Sequence, residues 1–170
     1  MVDNTLWHVC GICLFVLLVS IHRRARSSGI LALALWNLAG VTLHELSHLM
    51  AGILLGARPR GFSLIPHRDG GYWRLGRVSF GRITAVNAVP VALAPLGLAV
   101  LAYWIARHWS DWYGHSPIAT LALYAVLYLM LYNALPSRQD LRVACNPGSL
   151  LLYSLLALGA WYLMSAAPYR

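Results

Sequence analysis

Apolar residues are gathered into five runs along the chain, and the segments between the runs are rich in arginine, glycine and proline. A transmembrane helix needs roughly 20 consecutive apolar residues, and a run of about 17 is near the lower limit for crossing a bilayer. Each run is therefore predicted to form one membrane span. The predicted spans are residues 5–21, 30–55, 83–105, 117–135 and 149–168.

Segment 57–82, between the second and third runs, has a different pattern. Residues 61–65 and 72–80 alternate between polar and apolar side chains as half-buried strands do, and residues 69–71 have the composition of a tight turn. The alternation slips near Gly76, which predicts a β-bulge. We expect a β-hairpin at the membrane surface, with an irregular basic loop as the alternative.

Polar connections are predicted at residues 22–28, a short basic turn, and at 107–116, a loop with interfacial tryptophans. Pro90 and Pro95 lie within the third span, where proline opens a helix and exposes backbone carbonyls. Pro136 ends the helix of the fourth span. The expected architecture is an all-α polytopic membrane protein with about five transmembrane helices and a small surface hairpin between spans 2 and 3.

The composition agrees with a membrane protein and excludes an ordinary soluble domain. Hydrophobic residues make up 59% of the 170 residues and charged residues only 11%, whereas about 25% are charged in a soluble domain. No linker is long enough to separate a soluble unit. Residues 1–170 are therefore predicted to form one integral membrane domain.

The basic side chains are all arginines, 13 in number, and the net charge is +8. On a soluble protein this charge would suggest a nucleic-acid partner, but here most arginines lie between apolar runs, where they contact anionic lipid headgroups. The lipid bilayer is the predicted partner, and no nucleic acid is expected. Eight arginines fall on the side of the hairpin and five on the other, so the positive-inside rule places the hairpin nearer the cytoplasm.

The second apolar run contains the sequence HELSH, with His44 and His48 four residues apart. Residues at this spacing share a helix face, so the two imidazoles can bind one Zn²⁺ at about 2.0–2.1 Å each. Glu45, about 100° around the helix, is placed as general base for the attacking water. Gly40 and Gly52 continue the histidine face and leave room for a metal, a water and an approaching backbone. A polar cluster that joins helices without a metal is the alternative.

A catalytic zinc needs three protein ligands, so one more must come from outside the HELSH helix. Asp140 is the predicted third ligand, because the second and fourth spans run in the same direction and Asp140 follows the fourth span on the side of the site. A surface ion pair of Asp140 with Arg138 or Arg142 is the alternative. His67 and Asp69 of the hairpin are the next candidates for the ligand.

The order of these features resembles the site-2 protease family of intramembrane zinc metalloproteases. The shared pattern is an HExxH in one span, a surface hairpin, a further span, and a span that ends in an Asn/Pro/Asp motif. The resemblance covers residues 30–140, and HELSHLMAGILLGARPRGFSL looks most like the small bacterial members without a PDZ domain. The chain departs from the family at 133–140, where NALPSRQD replaces Asn-Pro-Asp-Gly, and spans 5–21 and 149–168 lie outside the resemblance.

The resemblance implies one Zn²⁺ per chain, bound by His44, His48 and Asp140, with Glu45 as the general base. The implied function is a zinc-dependent endopeptidase that cleaves transmembrane or membrane-proximal segments of membrane proteins in the bacterial inner membrane, with the active site nearer the cytoplasmic face. The alternatives are a catalytically inactive zinc-binding membrane adaptor and a membrane zinc hydrolase that acts on a non-peptide substrate.

Substrate contacts are predicted in two places. The resemblance implies that Asn133 and Asn87 orient the substrate or a ligand. A transmembrane substrate must also be extended before its peptide bond is accessible, and an extended segment can add as a strand to an edge of the hairpin. Tyr72, Arg74 and Val78 are the hairpin positions predicted to contact the substrate.

Overall fold

The computed structural model describes residues 4–69 and 71–166, and the chain is mostly helical. These residues form eight α-helices, four short β-strands and one 3₁₀ turn, at Ala94–Leu96. The helices are α1 (Asn4–Ser28), α2 (Ile30–Trp36), α3 (Leu38–Leu54), α4 (Ala85–Ala92), α5 (Gly97–Tyr113), α6 (Pro117–Asn133), α7 (Arg138–Ala144) and α8 (Pro147–Ala166). The strands are β1 (Pro59–Ser63), β2 (His67–Asp69), β3 (Tyr72–Arg74) and β4 (Arg77–Phe80).

Three helical segments are long and apolar enough to cross a membrane: Thr5–Ser28, Ala85–Tyr113 and Pro147–Ser165. Two further candidates are bent pairs of helices, α2 with α3 at 72° and α6 with α7 at 54°. By length and composition, the described residues thus contain three candidate spans, or five if each bent pair counts as one. The last residues of the predicted fifth span, 167 and 168, lie outside the described part of the chain.

Segment 22–28 is helical, so the predicted basic turn is wrong. α1 continues through Ser28, and the hydroxyls of Ser27 and Ser28 both donate to the carbonyl of Arg24. The chain reverses at Gly29, whose φ of 125° is accessible to glycine and strained for other residues. A polar helix end needs no loop, because its long side chains can remain in water while the backbone keeps its hydrogen bonds.

The loop predicted at 107–116 is also wrong over most of its length. α5 runs through Tyr113 and ends at Gly114, which has a φ of 68°. Aromatic side chains one turn apart pack on each other at this end, with the rings of Trp109 and Tyr113 4.5 Å apart. The interfacial tryptophans therefore lie on a continued helix.

Segment 57–82 contains the predicted hairpin, between α3 and α4. β1 pairs antiparallel with β4, and β2 pairs antiparallel with β3, so the chain leaves along β1 and β2 and returns along β3 and β4. The bulge predicted near Gly76 is instead a break in the strand, since β3 ends at Arg74 and β4 begins at Arg77. The register shift lies on the opposite strand, between Pro59 and Gly61.

The two prolines of the third predicted span each leave a carbonyl without its helical donor. Pro90 lies inside α4 and has no N–H for Val86, whose carbonyl accepts a hydrogen bond from the Tyr153 hydroxyl of α8 at 2.7 Å. Pro95 lies in the 3₁₀ turn that joins α4 to α5. Its missing N–H removes the helical donor of the Val91 carbonyl, which accepts hydrogen bonds from the backbone N–H of Leu93 and from Nδ1 of His48.

α6 is a central helix of the packing. Its Met130 forms a buried cluster with Leu98 and Ala102 of α5. On another face α1 lies along α6, with Gly11 against the ring of Tyr124. α3 also contacts α6, together with α4, β1 and β4. The HELSH helix is therefore held by neighbouring helices and by the strand pair β1–β4 of the hairpin.

Candidate metal centre

His44 and His48 lie one turn apart on α3 and direct their rings toward each other. Their Nε2 atoms are 3.2 Å apart and their ring centroids 4.8 Å apart. His48 is buried, and the side chain of His44 is 15% exposed. The spacing of four residues thus brings two imidazole nitrogens to one point on the helix surface.

Asp140 of α7 lies against both histidines. Its Oδ2 is 3.4 Å from Nε2 of His44, and its Oδ1 is 3.3 Å from Nε2 of His48. The ligand atoms of the three residues lie within 4.8 Å of one another, and in residues 4–69 and 71–166 no second such group of metal-binding side chains occurs. The carboxylate therefore lies with the two histidines, and its role as a third ligand stays a prediction.

A capping box at the start of α7 orients the side chain of Asp140 toward the two histidines. The hydroxyl of Ser137 accepts from the backbone N–H of Asp140 at 3.3 Å, and Oδ2 of Asp140 accepts from the backbone N–H of Ser137 at 2.6 Å. Pro136 immediately before this box prevents α6 from continuing. The 54° bend between α6 and α7 then turns the chain back toward α3.

Backbone carbonyls fix which ring nitrogen of each histidine carries the proton. Nδ1 of His44 donates to the carbonyl of Asn133 at 2.9 Å, and Nδ1 of His48 donates to the carbonyl of Val91 at 2.8 Å. Since a carbonyl only accepts, each neutral ring has its proton on Nδ1 and presents a lone pair at Nε2. Both carbonyls lie where a helix is interrupted: α6 ends at Asn133, and Pro95 has no N–H for Val91.

The atoms that converge here are all hydrogen-bond acceptors, two imidazole nitrogens and two carboxylate oxygens. Acceptors so close together repel one another unless a proton or a cation lies between them. For ligands about 2.0–2.1 Å from a tetrahedral zinc ion, the ligand atoms are about 3.3–3.4 Å apart. The two imidazole nitrogens are 3.2 Å apart, and they lie 3.4 and 3.3 Å from different oxygens of Asp140. With one ligand atom taken from each residue, the three atoms lie within 4.8 Å of one another. The chemistry of this donor set therefore fits a zinc ion.

Glu45 is not a member of this group and lies against the hairpin. Its carboxylate interacts with the backbone of Val78 in β4. A Cβ atom built on Gly76 would lie 2.7 Å from Cγ of Glu45 and 2.9 Å from its Oε1, so this side chain lies directly over the backbone of Gly76. Glu45 also interacts electrostatically with His44, His48 and Asp140. Its role as a general base stays a prediction.

The two glycines that extend the histidine face do not leave room for a metal or a substrate backbone, so that prediction is wrong. The side chains of Asn133 and Asn37 occupy the space beside Gly40, and the ring of Phe80 occupies the space beside Gly52. The reason is that α6 and the hairpin pack against α3 on either side of the histidines. Glycine permits this close packing.

Both asparagines predicted to contact substrate are buried and hydrogen-bonded within the chain. The amide of Asn133 donates to the carbonyl of Leu129 at 2.8 Å and accepts from Asn37 at 3.0 Å. Asn87 forms the capping box of α4 with Thr84. The predicted role of Asn133 in orienting a ligand agrees with the hydrogen bond that its backbone carbonyl accepts from Nδ1 of His44. Substrate binding by either asparagine stays a prediction.

The hairpin residues with predicted roles are divided between the two strand pairs. Tyr72 and Arg74 lie in β3, which pairs with β2, whereas Val78 lies in β4 beside the predicted base. His67, one of the next candidates for the third ligand, lies in β2 and outside the group formed by His44, His48 and Asp140. The side chains of Tyr72 and Asp69 lie outside the described part of the structure. Substrate binding along the hairpin stays a prediction.

Three supporting residues are absent from the sequence-based candidates: Asn37, Val91 and Gly76. Asn37 lies at the bend between α2 and α3 and donates to α6, Val91 supplies a carbonyl to a histidine, and Gly76 faces the predicted base. Pro95 is the sequence signal that points to Val91, because a proline frees the carbonyl four residues earlier. The other two have no local signal, since their partners are distant along the chain.

Comparison with known proteins assigns no family to this chain. No protein-family model matches it, and no curated protein or solved structure matches it. The case for a metal centre therefore rests on the geometry of His44, His48 and Asp140.

Proposed function

We propose that the protein is a zinc-dependent intramembrane endopeptidase of the site-2 protease type. The observation that carries the proposal is the convergence of His44, His48 and Asp140 on one point, with Glu45 beside them and outside the group. A structural zinc site has four protein ligands and needs no base, whereas three ligands with a neighbouring carboxylate are the parts of a hydrolase. Two imidazole donors favour zinc over magnesium or calcium, which prefer oxygen ligands.

The protein residues have separate tasks in this reaction. When bound, the zinc ion supplies a Lewis acid that polarises a peptide carbonyl and favours ionisation of a water molecule. Glu45 accepts the proton of the attacking water on a carboxylate oxygen and delivers it to the leaving amine nitrogen. The carbonyls of Asn133 and Val91 hold the Nδ1 protons of the two histidines, so that each ring keeps its orientation throughout.

The proposed substrate is a transmembrane or membrane-proximal segment of another membrane protein. The histidines lie in a bent helix pair that is apolar enough to be a span. The side chains of His44 and Asp140 are each 15% exposed, so the site is reached from outside the helical packing. A helical substrate shields its carbonyls and must be extended first. The extended segment is proposed to pair with an edge of the hairpin near Glu45.

The lipid bilayer is the second partner in this proposal. Large apolar side chains are exposed along α1 and α8, and a bilayer would remove them from water. The protein is accordingly proposed to be a multi-pass protein of a bacterial inner membrane. The excess of arginines on the side of the hairpin places the hairpin and the site nearer the cytoplasmic face.

The proposal is tested with purified protein reconstituted into vesicles. Glu45→Gln should retain one zinc per chain and should trap membrane proteins that the wild type cleaves. On those proteins its rate should be about 10²–10⁴-fold below wild type, because Glu45 is a base and not a ligand. Asp111→Ala, which removes an exposed carboxylate at the end of α5, is the matched control and should retain both zinc and activity.

Two results would contradict the proposal. Loss of stoichiometric zinc from folded Glu45→Gln would make Glu45 a ligand. A zinc-loaded wild-type protein that cleaves none of the trapped membrane proteins would exclude the proteolytic function.

A further inference from the structure

We infer that the hairpin positions the general base: the backbone of Gly76 and Val78 holds the Glu45 carboxylate beside the metal ligands. The inference rests on the proposed function, because that function makes Glu45 the base. It gives the hairpin a task that is separate from substrate binding and from joining α3 to α4. Gly76 and Val78 are positioning residues in this scheme, since they act through Glu45.

The interaction of Val78 with Glu45 is the first observation. Val78 is in register with Phe62 of β1, and its backbone also interacts with the carboxylate of Glu45 on α3. A carboxylate accepts hydrogen bonds and forms a shorter and stronger one than a neutral group does. The N–H of Val78 is therefore the donor in this scheme.

The absence of a side chain at Gly76 is the second observation. A Cβ at this position would lie 2.7 Å from Cγ of Glu45, 2.8 Å from Cγ1 of Val41 and 2.9 Å from Oε1 of Glu45. Real Cβ atoms essentially never approach other heavy atoms to within 3.0 Å, so either Glu45 or the hairpin would have to move. Gly76 is not among the glycines with positive φ, so space is what requires glycine here.

These two contacts bear directly on catalysis. Glutamate has three rotatable side-chain bonds, and a general base must lie within hydrogen-bond reach of the proton that it takes. The Val78 N–H fixes the end of the side chain, and the Gly76 backbone provides the surface on which its stem lies. A misplacement of about 1 Å can lower a rate about 100-fold. The hairpin therefore affects the rate of the chemical step without contacting the metal.

Gly76→Ala is the first test, with Gly61→Ala as the matched control. Gly61 lies on β1 of the same hairpin, and a Cβ there would meet Oγ of Ser79 at 2.9 Å, a similar crowding that does not involve Glu45. Gly76→Ala should keep its zinc and lower kcat about 10–100-fold, with KM within about twofold of wild type. Gly61→Ala should resemble wild type. Equal kcat for Gly76→Ala and wild type would overturn the inference.

A double variant separates an effect on Glu45 from simple overpacking. Val41→Ala removes the second atom that the new methyl group would meet and leaves the contact with Glu45 unchanged. In Gly76→Ala/Val41→Ala, kcat should therefore stay as low as in Gly76→Ala. Recovery of kcat in the double variant would mean that Gly76 acts through packing on Val41, and the inference would be wrong.

Amide hydrogen exchange at Val78 in the zinc-loaded protein gives a readout that is independent of activity. Exchange should become at least about 10-fold faster in Glu45→Ala, which removes the acceptor, and in Gly76→Ala, while Gly61→Ala should keep the wild-type rate. Unchanged exchange in Glu45→Ala would overturn the inference even in an active protease. If the wild type cleaves no membrane protein but exchange responds as stated, the proposed function fails and the hairpin still holds Glu45.

Discussion

The two sides of α3 are held in different ways. On one side His44 and His48 each donate to a carbonyl of a neighbouring helix and face Asp140 of α7. On the other side Glu45 lies on a hairpin whose strands are three to five residues long. The side proposed to bind a metal is therefore built from helices, and the side of the proposed base from two short strand pairs.

The two sides of α3 are therefore expected to differ in rigidity. Metal ligands must keep their distances within a few tenths of an ångström, and helix ends with fixed carbonyls provide this. A two-stranded hairpin is only marginally stable alone and opens more easily than packed helices. We therefore expect the hairpin to open more readily than the helices that carry His44, His48 and Asp140. The predictions below test each side separately.

Removal of Asp140 should have the largest effect, because under the proposed function it takes one of three ligands from the histidine side. Asp140→Ala should fold, lose zinc affinity by more than the about 10–100-fold caused by loss of a supporting residue, and be inactive. Metal analysis of the purified protein measures this. The control variants Asp111→Ala and His67→Ala should keep their zinc. Full zinc content in Asp140→Ala would place the third ligand elsewhere.

Pro95→Ala should weaken the same side more mildly. The new N–H would compete with Nδ1 of His48 for the carbonyl of Val91, so the ring would lose its fixed orientation. Zinc affinity, measured by competition with a chelator, should fall about 10-fold. Pro90→Ala is the control, since its new N–H faces a carbonyl remote from the ligands. Equal zinc affinities in the two variants would contradict the role of Pro95.

Proline substitutions along residues 72–80 should affect turnover and leave zinc content unchanged. If substrate adds as a strand, each proline at an edge-facing position removes one hydrogen bond, worth about 1 kcal/mol, and should lower turnover about 3–10-fold. Edge-facing positions alternate along a strand, so the losses should also alternate. Gly76 and Val78 are excluded from this series, because a Cβ at position 76 would meet Glu45 and the Val78 backbone is inferred to hold Glu45. Equal turnover throughout the series would argue against strand addition.

Gly52→Ala should have the smallest effect, a loss of stability without a loss of metal. The methyl group would collide with the ring of Phe80, where α3 and β4 are in contact. Overpacking of this kind costs about 1–3 kcal/mol, which lowers Tm by about 2–10 °C in a chain of this size. Gly159→Ala in α8, where a Cβ would meet no atom within 4 Å, should not lower Tm. A lower zinc content in Gly52→Ala would contradict the prediction.

Short-range patterns were sufficient to predict the helical architecture, the hairpin and the histidine pair. An apolar run depends on consecutive residues, a hairpin on a turn and its flanking strands, and the face shared by His44 and His48 on one helical turn. The position of Asp140 is also prepared locally, because Pro136 ends a helix and Ser137 with Asp140 forms the next N-cap. These features have their cause within a few residues of themselves.

Only the tertiary structure decided what lies opposite each residue. Periodicity places Gly40 and Gly52 on the histidine face, and the side chains that fill the space beside them come from α6, from the bend between α2 and α3, and from β4. The carbonyl of Val91 is 43 residues from His48, and no local signal in the HELSH segment points to it. Glu45 is likewise separated from Val78 along the chain by the end of α3 and by strands β1, β2 and β3. The helical pattern of the sequence determines which way a side chain faces, whereas the residue that the side chain contacts depends on how distant segments pack.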